Sequence, residues 1–302
     1  MLTIGSRGSQ LALWQARWIQ ARLAALGHES RIEIIHTTGD RITDVPLAKV
    51  GTKGLFTKEI EEALLRGDID VAVHSMKDMP TDVPDGLAID AVPEREDPRD
   101  ALVGVRLDEL PEHARVGTSS LRRTAQLHAL RPDLEIDSLR GNVDTRLRKV
   151  EERHFDAIVL AAAGLRRLGL QQRIAEVLDP AVMCPAVGQG ALAVETRNDG
   201  EAFQLCAQLN HPETYAAVAA ERAVLAELGG GCQVPIGAHA RIEGDVLHID
   251  AIVVSPDGNQ VVRLSASGPA RDHEQIGIRL GRELLLAGAE DILDAVYGET
   301  GG

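Results

Sequence analysis

Short apolar runs alternate with helical patterns along much of this chain, and that alternation limits the possible folds more than any other feature of the sequence. In the first part, apolar runs predict strands at Leu2–Ile4, Arg31–His36, Asp70–His74 and Ala88–Val92. Apolar residues at helical spacing predict one helix that starts near Ser9 and another that ends at Gly67. Because strand–helix–strand units place parallel strands in one sheet, these residues predict an α/β domain.

The same alternation begins again after the charged, proline-containing segment 93–98, which we interpret as a linker. Strands are predicted at Arg115–Gly117, Leu134–Ser138 and Asp156–Ala161, with helices at Ser119–Leu130 and Asn142–Glu152. The segment Val182–Arg197 is predicted to contain a crossing strand that returns to the first domain. We therefore expect a second α/β domain of similar size, with a ligand-binding cleft between the two.

From His211 onward the pattern changes. A helix is predicted to about Leu228, followed by hairpin-linked strands at Ile236–Ile242, Val246–Val254 and Val261–Ser267. A helical region over 272–296 would cover one face of this sheet. Because 302 residues exceed one comfortable core, we predict three domains, 1–93 with 189–210, 94–188, and 211–302. The third is predicted to be a small α+β domain with a three-stranded antiparallel sheet.

Charge and composition restrict the partners of this chain. The net charge of −14 opposes binding to a polyanion, and 2% aromatic residues are too few for base stacking. Basic residues nevertheless dominate between Arg115 and Lys149, so we expect a compact anionic ligand and no nucleic acid. The three cysteines form no CxxC pair, which argues against a disulfide framework and a zinc site. No signal peptide or membrane span is recognised, and we predict a cytoplasmic protein without a membrane partner.

Two strand-to-helix junctions of the second domain combine hydroxyl groups with arginines. They are Gly117-Thr-Ser-Ser-Leu-Arg-Arg123 and Ser138-Leu-Arg-Gly-Asn-Val-Asp-Thr-Arg146. Backbone N–H groups at a helix start bind anions, and the forked donors of arginine suit carboxylates. These junctions predict an anion site whose candidate residues are Thr118, Ser119, Ser120, Arg122, Arg123, Arg140 and Arg146. Serine N-caps beside solvated arginines are the alternative interpretation.

The first domain offers two weaker candidates for ligand binding. Arg7 and Ser9 occupy the equivalent strand-to-helix junction, where a capping serine beside a surface arginine is the alternative. Lys77 and Asp78 follow the strand Asp70–His74, at the carboxyl end where ligands bind open α/β sheets. Lys77 could hold a carboxylate and Asp78 could accept hydrogen bonds from N–H donors, although a solvated turn would also explain this pair.

Cys232 differs from the other two cysteines in its surroundings. It lies in Gly229-Gly-Gly-Cys-Gln-Val-Pro-Ile-Gly237, and a glycine-rich loop is a poor place for core packing. We therefore predict that Cys232 carries a covalently attached group. Cys184 and Cys206 lie in apolar contexts and are interpreted as small buried side chains.

Several of these segments follow one another in a specific order along the first 240 residues. They are Gly5–Gln15, Lys53–Glu59, Asp70–Asp78, Val116–Arg123, Leu139–Leu147, Pro185–Leu192 and Gly230–Gly237. Together they resemble the porphobilinogen deaminase (hydroxymethylbilane synthase) family. The resemblance implies two domains arranged like a type II periplasmic binding protein, and a dipyrromethane cofactor joined by a thioether to Cys232. It also implies a monomer that condenses four porphobilinogen molecules head to tail, with loss of ammonia, before water releases hydroxymethylbilane.

The resemblance also assigns roles to residues by motif position. It implies that the cofactor is bound by Lys77, Asp78, Ser120, Arg122, Arg123 and Arg140, and the substrate by Arg7, Ser9, Phe56, Thr118, Ser119, Arg146 and Gln189. The arginines would hold acetate and propionate groups, and Asp78 would be catalytic by stabilising positive charge on the pyrrole nitrogens. For Gln189, a substrate contact and a hinge both stay open. No metal is expected.

Two other functions remain as alternatives. A non-enzymatic anion-binding protein of the periplasmic type would fit the paired α/β domains, but it usually needs a secretion signal and has no use for Cys232. A cysteine-nucleophile acyltransferase would need a general base, and no histidine neighbours Cys232 in the sequence.

Overall fold

A computed structural model describes residues 1–41, 57–230 and 234–300 of the chain. The chain divides into two compact units, Met1–Glu96 with Ala191–Tyr215 and Asp97–Gly190 with Ala216–Gly302. Two predicted site residues, Phe56 and Cys232, lie outside the described residues. Within the described ranges, no helix combines the length and the apolar character needed to cross a membrane.

The strands, in chain order, are β1 (Leu2–Ser6), β2 (Ser30–Ile34), β3 (Val71–Ser75), β4 (Leu87–Ala91), β5 (Asp100–Gly104), β6 (Arg115–Gly117), β7 (Glu135–Asp137), β8 (Ala157–Ala161), β9 (Glu176–Val177), β10 (Leu192–Arg197), β11 (Ile236–Glu243), β12 (Val246–Val254) and β13 (Val261–Pro269). The helices are α1 (Gln10–Ala25), α2 (Thr38–Arg41), α3 (Lys58–Arg66), α4 (Leu121–Leu130), α5 (Val143–Glu151), α6 (Ala162–Arg167), α7 (Gly200–Cys206), α8 (Pro212–Glu227), α9 (His273–Leu284) and α10 (Glu290–Thr300).

The sheet of the first unit has the strand order β2-β1-β3-β10-β4. Strands β2, β1 and β3 run parallel, and β10, which arrives late in the chain, runs antiparallel between β3 and β4. Helix α1 packs apolar residues against Ile4 and Val71 of this sheet. Ser9 begins that helix because its Oγ accepts a hydrogen bond from Ala12 N at 3.2 Å. Helix α3 ends at Gly67, as predicted, with a left-handed φ of +78°.

The first sheet of the second unit has the order β7-β6-β8-β5-β9. Strands β7, β6 and β8 are parallel, whereas β5 runs antiparallel to β8 and β9. The sequence patterns missed β5, a short, continuously buried run. Its direction pairs its first residue, Asp100, with Ala161 at the end of β8. Asp100 therefore lies at the edge where the parallel strands end.

The remaining sheet of the second unit is antiparallel, with the order β11-β12-β13. Helices α8 and α9 pack on it around one apolar cluster. Gly244 and Gly258 occupy its two turns with φ of +61° and +77°, a left-handed backbone that favours glycine. The helical region that follows is interrupted at Gly288, which has a φ of +104°. Two α/β sheets and one small antiparallel sheet confirm the predicted fold class.

Candidate functional site

The two predicted anion-binding junctions of the second unit lie side by side. Strands β6 and β7 are parallel neighbours, so the residues that follow them leave the sheet at the same edge. Ser119 Oγ donates a hydrogen bond to Leu139 O at 2.7 Å and lies 3.0 Å from Ser138 Oγ. These contacts connect the buried Thr118 and the half-buried Ser119 and Ser120 to the junction that carries Arg140.

The helices that follow these junctions begin differently. The N-cap residue of α4, Ser120, makes no side-chain capping hydrogen bond, and the first turn of α4 contains no acidic residue. In contrast, Asn142 Oδ1 caps α5 by accepting a hydrogen bond from Thr145 N at 3.0 Å, and Asp144 lies in the first turn. A helix start carries partial positive charge that an anion stabilises. The start of α4 is therefore the better suited of the two to an anionic ligand.

Arg122 and Arg123 are buried, with 4% and 6% of their surface exposed, and both pair with Asp100. Arg122 Nη1 lies 2.7 Å from Asp100 Oδ2, and Arg123 Nη2 lies 2.7 Å from Asp100 Oδ1. Burial by itself would raise the pKa of Asp100, but the two guanidinium charges outweigh it and hold that pKa well below its usual range. The predicted alternative of solvated arginines is wrong for this pair. Sequence reasoning missed Asp100, and the only local signal was an acidic residue that opens a short apolar run.

Gln189 is completely buried beside the same carboxylate. Its Nε2 donates hydrogen bonds to Pro98 O at 2.7 Å and to Asp100 Oδ1 at 2.9 Å. The preceding residue is fixed as well, because Gly188 N donates to the buried Glu221 Oε2 at 2.7 Å. Gln189 therefore contributes to the surroundings of Asp100 rather than to an exposed surface.

Arg140 and Arg146 are half-buried on the second junction. Arg146 Nε donates to Gly141 O at 2.8 Å, which places the guanidinium beside the residues that follow β7. Gly141 has a φ of +110°, and a Cβ there would lie 2.9 Å from the Thr145 side chain. The hydrogen bond to Gly141 O thus holds the Arg146 side chain against the turn that precedes α5.

In the first unit, the predicted residues fall at two separate places. Arg7 is half-buried, and Ser9 acts as the helix cap described above. Lys77 and Asp78 lie in a 3-10 turn, Met76–Asp78, directly after β3, with Lys77 half-buried and Asp78 exposed. Met76 anchors this turn, since it is buried and its N–H donates to Ala191 O at 3.0 Å. The turn therefore presents the Asp78 carboxylate at the carboxyl end of a buried strand.

A buried polar group supports the strand that precedes Asp78. His74 Nε2 lies 3.0 Å from Glu195 Oε2 of β10, and both side chains are buried. Burial, together with the nearby carboxylate of Glu195, raises the pKa of Glu61 on α3. Sequence reasoning missed this group because its members are distant along the chain.

The described cysteines match their predicted structural role. Cys184 and Cys206 are completely buried, and burial raises the pKa of each thiol to about 12. Such thiols stay protonated and unreactive at neutral pH. Near Cys232, the described chain reaches Gly230, whose N–H donates to Leu225 O at 3.0 Å. A Cβ at Gly230 would lie 2.5 Å from Leu225 Cδ1, so a larger residue there would have to displace the Leu225 side chain.

Comparison with known families gives matches along almost the whole chain. A family model described as "Porphobilinogen deaminase, dipyromethane cofactor binding domain" matches residues 2–204, and one for the porphobilinogen deaminase C-terminal domain matches residues 215–286. The porphobilinogen deaminase of Pelobacter propionicus is 54% identical over 98% of this chain and 97% of its own length. That of Geotalea uraniireducens is 52% identical over 98% of this chain and 95% of its own length.

The solved structures that match this chain do so at low sequence identity. A periplasmic substrate-binding protein of an ABC transporter from Coxiella burnetii is 13% identical, with a TM-score of 0.42 over 74% of this chain and 97% of its own. A nutrient-binding protein from Burkholderia cenocepacia, solved with methionine, is 13% identical, with a TM-score of 0.41 over 68% of this chain and 92% of its own.

Proposed function

This chain belongs to the porphobilinogen deaminase family, and we propose that it condenses four porphobilinogen molecules head to tail with release of ammonia. Hydrolysis then releases hydroxymethylbilane. The observation that carries this proposal is the family match over residues 2–204 and 215–286, supported by 54% identity to a relative along 98% of the chain.

The dipyrromethane cofactor of this family fits the charge of the residues that would hold it. Two buried guanidinium groups share one carboxylate, Asp100, so these three side chains together carry a net charge of +1. Among the described residues, Arg122 Nε is buried and has no hydrogen-bond partner. A buried donor without a hydrogen-bond partner is costly, and a ligand carboxylate that accepts from it would lower that cost. When bound, the dipyrromethane supplies the pyrrole carbon to which the first substrate is joined.

We propose that cofactor binding involves further residues around these arginines. Ser120 and the uncapped start of α4 offer a hydroxyl and N–H groups to an anion, and the half-buried Arg140 lies on the adjacent junction. By motif position, Lys77 and Asp78 also bind the cofactor, and Cys232 forms the thioether. Guanidinium and ammonium groups are suited to the acetate and propionate carboxylates that pyrroles of this kind carry.

Asp78 is the residue that we propose to be catalytic. Its carboxylate is exposed at the end of an anchored turn, where it can accept hydrogen bonds from pyrrole N–H groups. As ammonia leaves porphobilinogen, positive charge develops on the pyrrole, and a fixed carboxylate stabilises that charge in the transition state. The same hydrogen bonds would orient the substrate ring for carbon–carbon bond formation.

For substrate binding we propose Arg7, Ser9, Phe56, Thr118, Ser119 and Arg146. Arg7 and Arg146 are half-buried, and their guanidinium groups are suited to carboxylates. Ser9 Oγ accepts the capping hydrogen bond of α1, and a hydroxyl group can donate a hydrogen bond as well. We assign Gln189 a supporting role beside Asp100, because its side chain is completely buried there.

The setting of the enzyme is also a proposal. We propose three domains, 1–93 with 189–210, 94–188 and 211–302, that act together in a cytoplasmic monomer. The substrate is a small molecule, and the net charge of −14 disfavours nucleic acid as a partner.

The mass of the intact purified protein tests this function. We expect an adduct of dipyrrole size on the wild-type chain, with a pink colour in Ehrlich-type reagents, and its complete loss in Cys232→Ser. Cys206→Ala is the matched control, since Cys206 is a buried cysteine of the core and the adduct should remain. An unmodified mass for protein that actively consumes porphobilinogen would contradict the proposal.

A further inference from the structure

Asp100 pairs with two arginine side chains that point in different directions from their helix. Arg122 and Arg123 are consecutive residues of α4, and consecutive helical side chains point about 100° apart. Both nevertheless reach one carboxylate, Arg122 through Nη1 and Arg123 through Nη2 at 2.7 Å and Nε at 3.0 Å. Their convergence therefore depends on where Asp100 is placed and is not a property of the helix.

The backbone holds Asp100 firmly at this place. As the first residue of β5 it pairs with Ala161 of β8, and its carbonyl accepts a hydrogen bond from Leu178 N at 2.9 Å. Its side chain has no solvent exposure and also accepts a hydrogen bond from Gln189 Nε2 at 2.9 Å. A carboxylate fixed on a buried strand gives a rigid reference point for the arginines beside the start of α4.

The guanidinium N–H groups of Arg122 and Arg123 that do not bind Asp100 differ in their hydrogen bonds. Arg123 Nη1 donates to Val159 O at 3.0 Å, and Arg122 Nη1 donates to Cys184 O at 2.6 Å. Arg122 Nε, however, is buried without a hydrogen-bond partner within the part of the chain that the structure describes. Arg122 therefore has a buried N–H group without an acceptor. The two guanidinium groups carry two positive charges, and Asp100 neutralises one of them.

We propose that Asp100 is a positioning residue of the cofactor site: it fixes both guanidinium groups and leaves one positive charge for a ligand carboxylate. This inference rests on the proposed function. Asp100 touches neither cofactor nor substrate in this scheme, and it acts only through Arg122 and Arg123. Without its charge, the two arginines would repel each other and lose their common orientation.

Two substitutions of Asp100 test this role, with covalent loading as the measurement. Asp100→Asn removes the charge at nearly constant shape, and Asp100→Glu keeps the charge but moves it by one methylene. In the folded fraction of each purified variant, the proportion of chains with the dipyrrole adduct is measured by intact mass, and folding is followed by circular dichroism. A misplacement of about 1 Å can lower the rate of a reaction by up to about 100-fold. We therefore expect the proportion of Asp100→Asn chains that carry the adduct to fall about tenfold or more. Asp100→Glu should retain an intermediate proportion of adduct.

Asp97→Asn is the matched control. Asp97 also lies between two arginines, with Arg99 Nη2 and Arg166 Nη2 each 2.8 Å from its Oδ2. Because neither arginine belongs to the proposed site, this variant should lose thermal stability but keep the adduct. A purely structural role for Asp100 would give the same result as the control.

The other possible results of this experiment also support or overturn the proposed role of Asp100. Folded Asp100→Asn that carries the adduct as fully as wild type would overturn the inference and leave the proposed function intact. If Asp100→Asn does not fold, an adduct on Asp100→Glu in the same proportion as on the wild type would overturn the inference. Failure of both variants to fold would also overturn it, because Asp100 would then be a purely structural residue. Wild-type protein without any adduct would remove the proposed function itself.

Discussion

The turn between β12 and β13 packs against α4, the helix that begins with the two buried arginines. His128 Nδ1 lies 3.0 Å from Pro256 O of this turn. A Cβ on Gly258 would lie 2.6 Å from the carbonyl carbon of His128 and would also overlap Ala129 N. Real Cβ atoms essentially never approach other atoms within 3.0 Å, so Gly258→Ala must push the turn away from the helix.

The turn between β11 and β12 provides a matched control for that change. Gly244 has a similar left-handed φ, +61° against +77° for Gly258, but a Cβ there would have no described atom within 4 Å. An alanine in this backbone region costs about 1–2 kcal/mol at either position. Gly258→Ala should cost about 1–3 kcal/mol more, because the overlap forces strain into a packed contact. Loss of the His128 contact is included in that range.

Urea denaturation of the wild type and the two variants measures these free energies. We expect Gly244→Ala to lower the free energy of unfolding by the backbone penalty alone, and Gly258→Ala to lower it further by the additional amount. Equal losses in the two variants would refute the reasoning, since the packing of the turn on α4 would then contribute nothing. A larger loss for Gly244→Ala would refute it as well.

Two further predictions concern catalysis and pH. Asp78→Ala should lose nearly all turnover of porphobilinogen while keeping most of the covalent adduct, because the proposed role of Asp78 is charge stabilisation in the reaction. Substitution of the exposed Asp85 by alanine is the control. Full activity of Asp78→Ala would show that another group stabilises the charge. For Asp90, burial raises the pKa from 3.8 to about 6, against the effect of a hydrogen bond from Thr196 Oγ1. The folded state therefore binds the proton more tightly than the unfolded state, and stability is lost as the pH rises through this interval. Asp90→Asn should raise the melting temperature above pH 6, and this gain should disappear below pH 3.8, the ordinary pKa of an aspartate. The same gain at every pH would contradict a raised pKa for Asp90.

The fold class could be predicted from the sequence because its signals are local. Helical spacing, apolar runs and turn glycines such as Gly67 depend on neighbours within a few residues. The predicted strands appear with ends that differ by at most two residues, except for the crossing segment Val182–Arg197, in which the strand begins only at Leu192. The strand β5 escaped prediction. Its five residues begin shortly after a charged segment interpreted as a linker, and they were not recognised as a strand.

The site shows the limit of local reasoning more sharply. Sequence patterns identified Arg122 and Arg123 as candidates for an anion, but they could not show that Asp100 lies between them. Gln189 reaches the same carboxylate from 89 positions away, and Glu195 reaches His74 from 121 positions away. No spacing rule connects such residues, because sheet order and strand direction decide which of them meet.

The sequence by itself determined the α/β architecture, the two hydroxyl- and arginine-rich junctions and the family resemblance that points to Cys232 and Asp78. Only the tertiary structure decided that Arg122 and Arg123 are buried on a shared carboxylate, and that Gln189 supports this carboxylate. The physical reason is that secondary structure follows from interactions within a few residues, whereas the pairing of a buried charge depends on which distant strand brings the opposite charge to it.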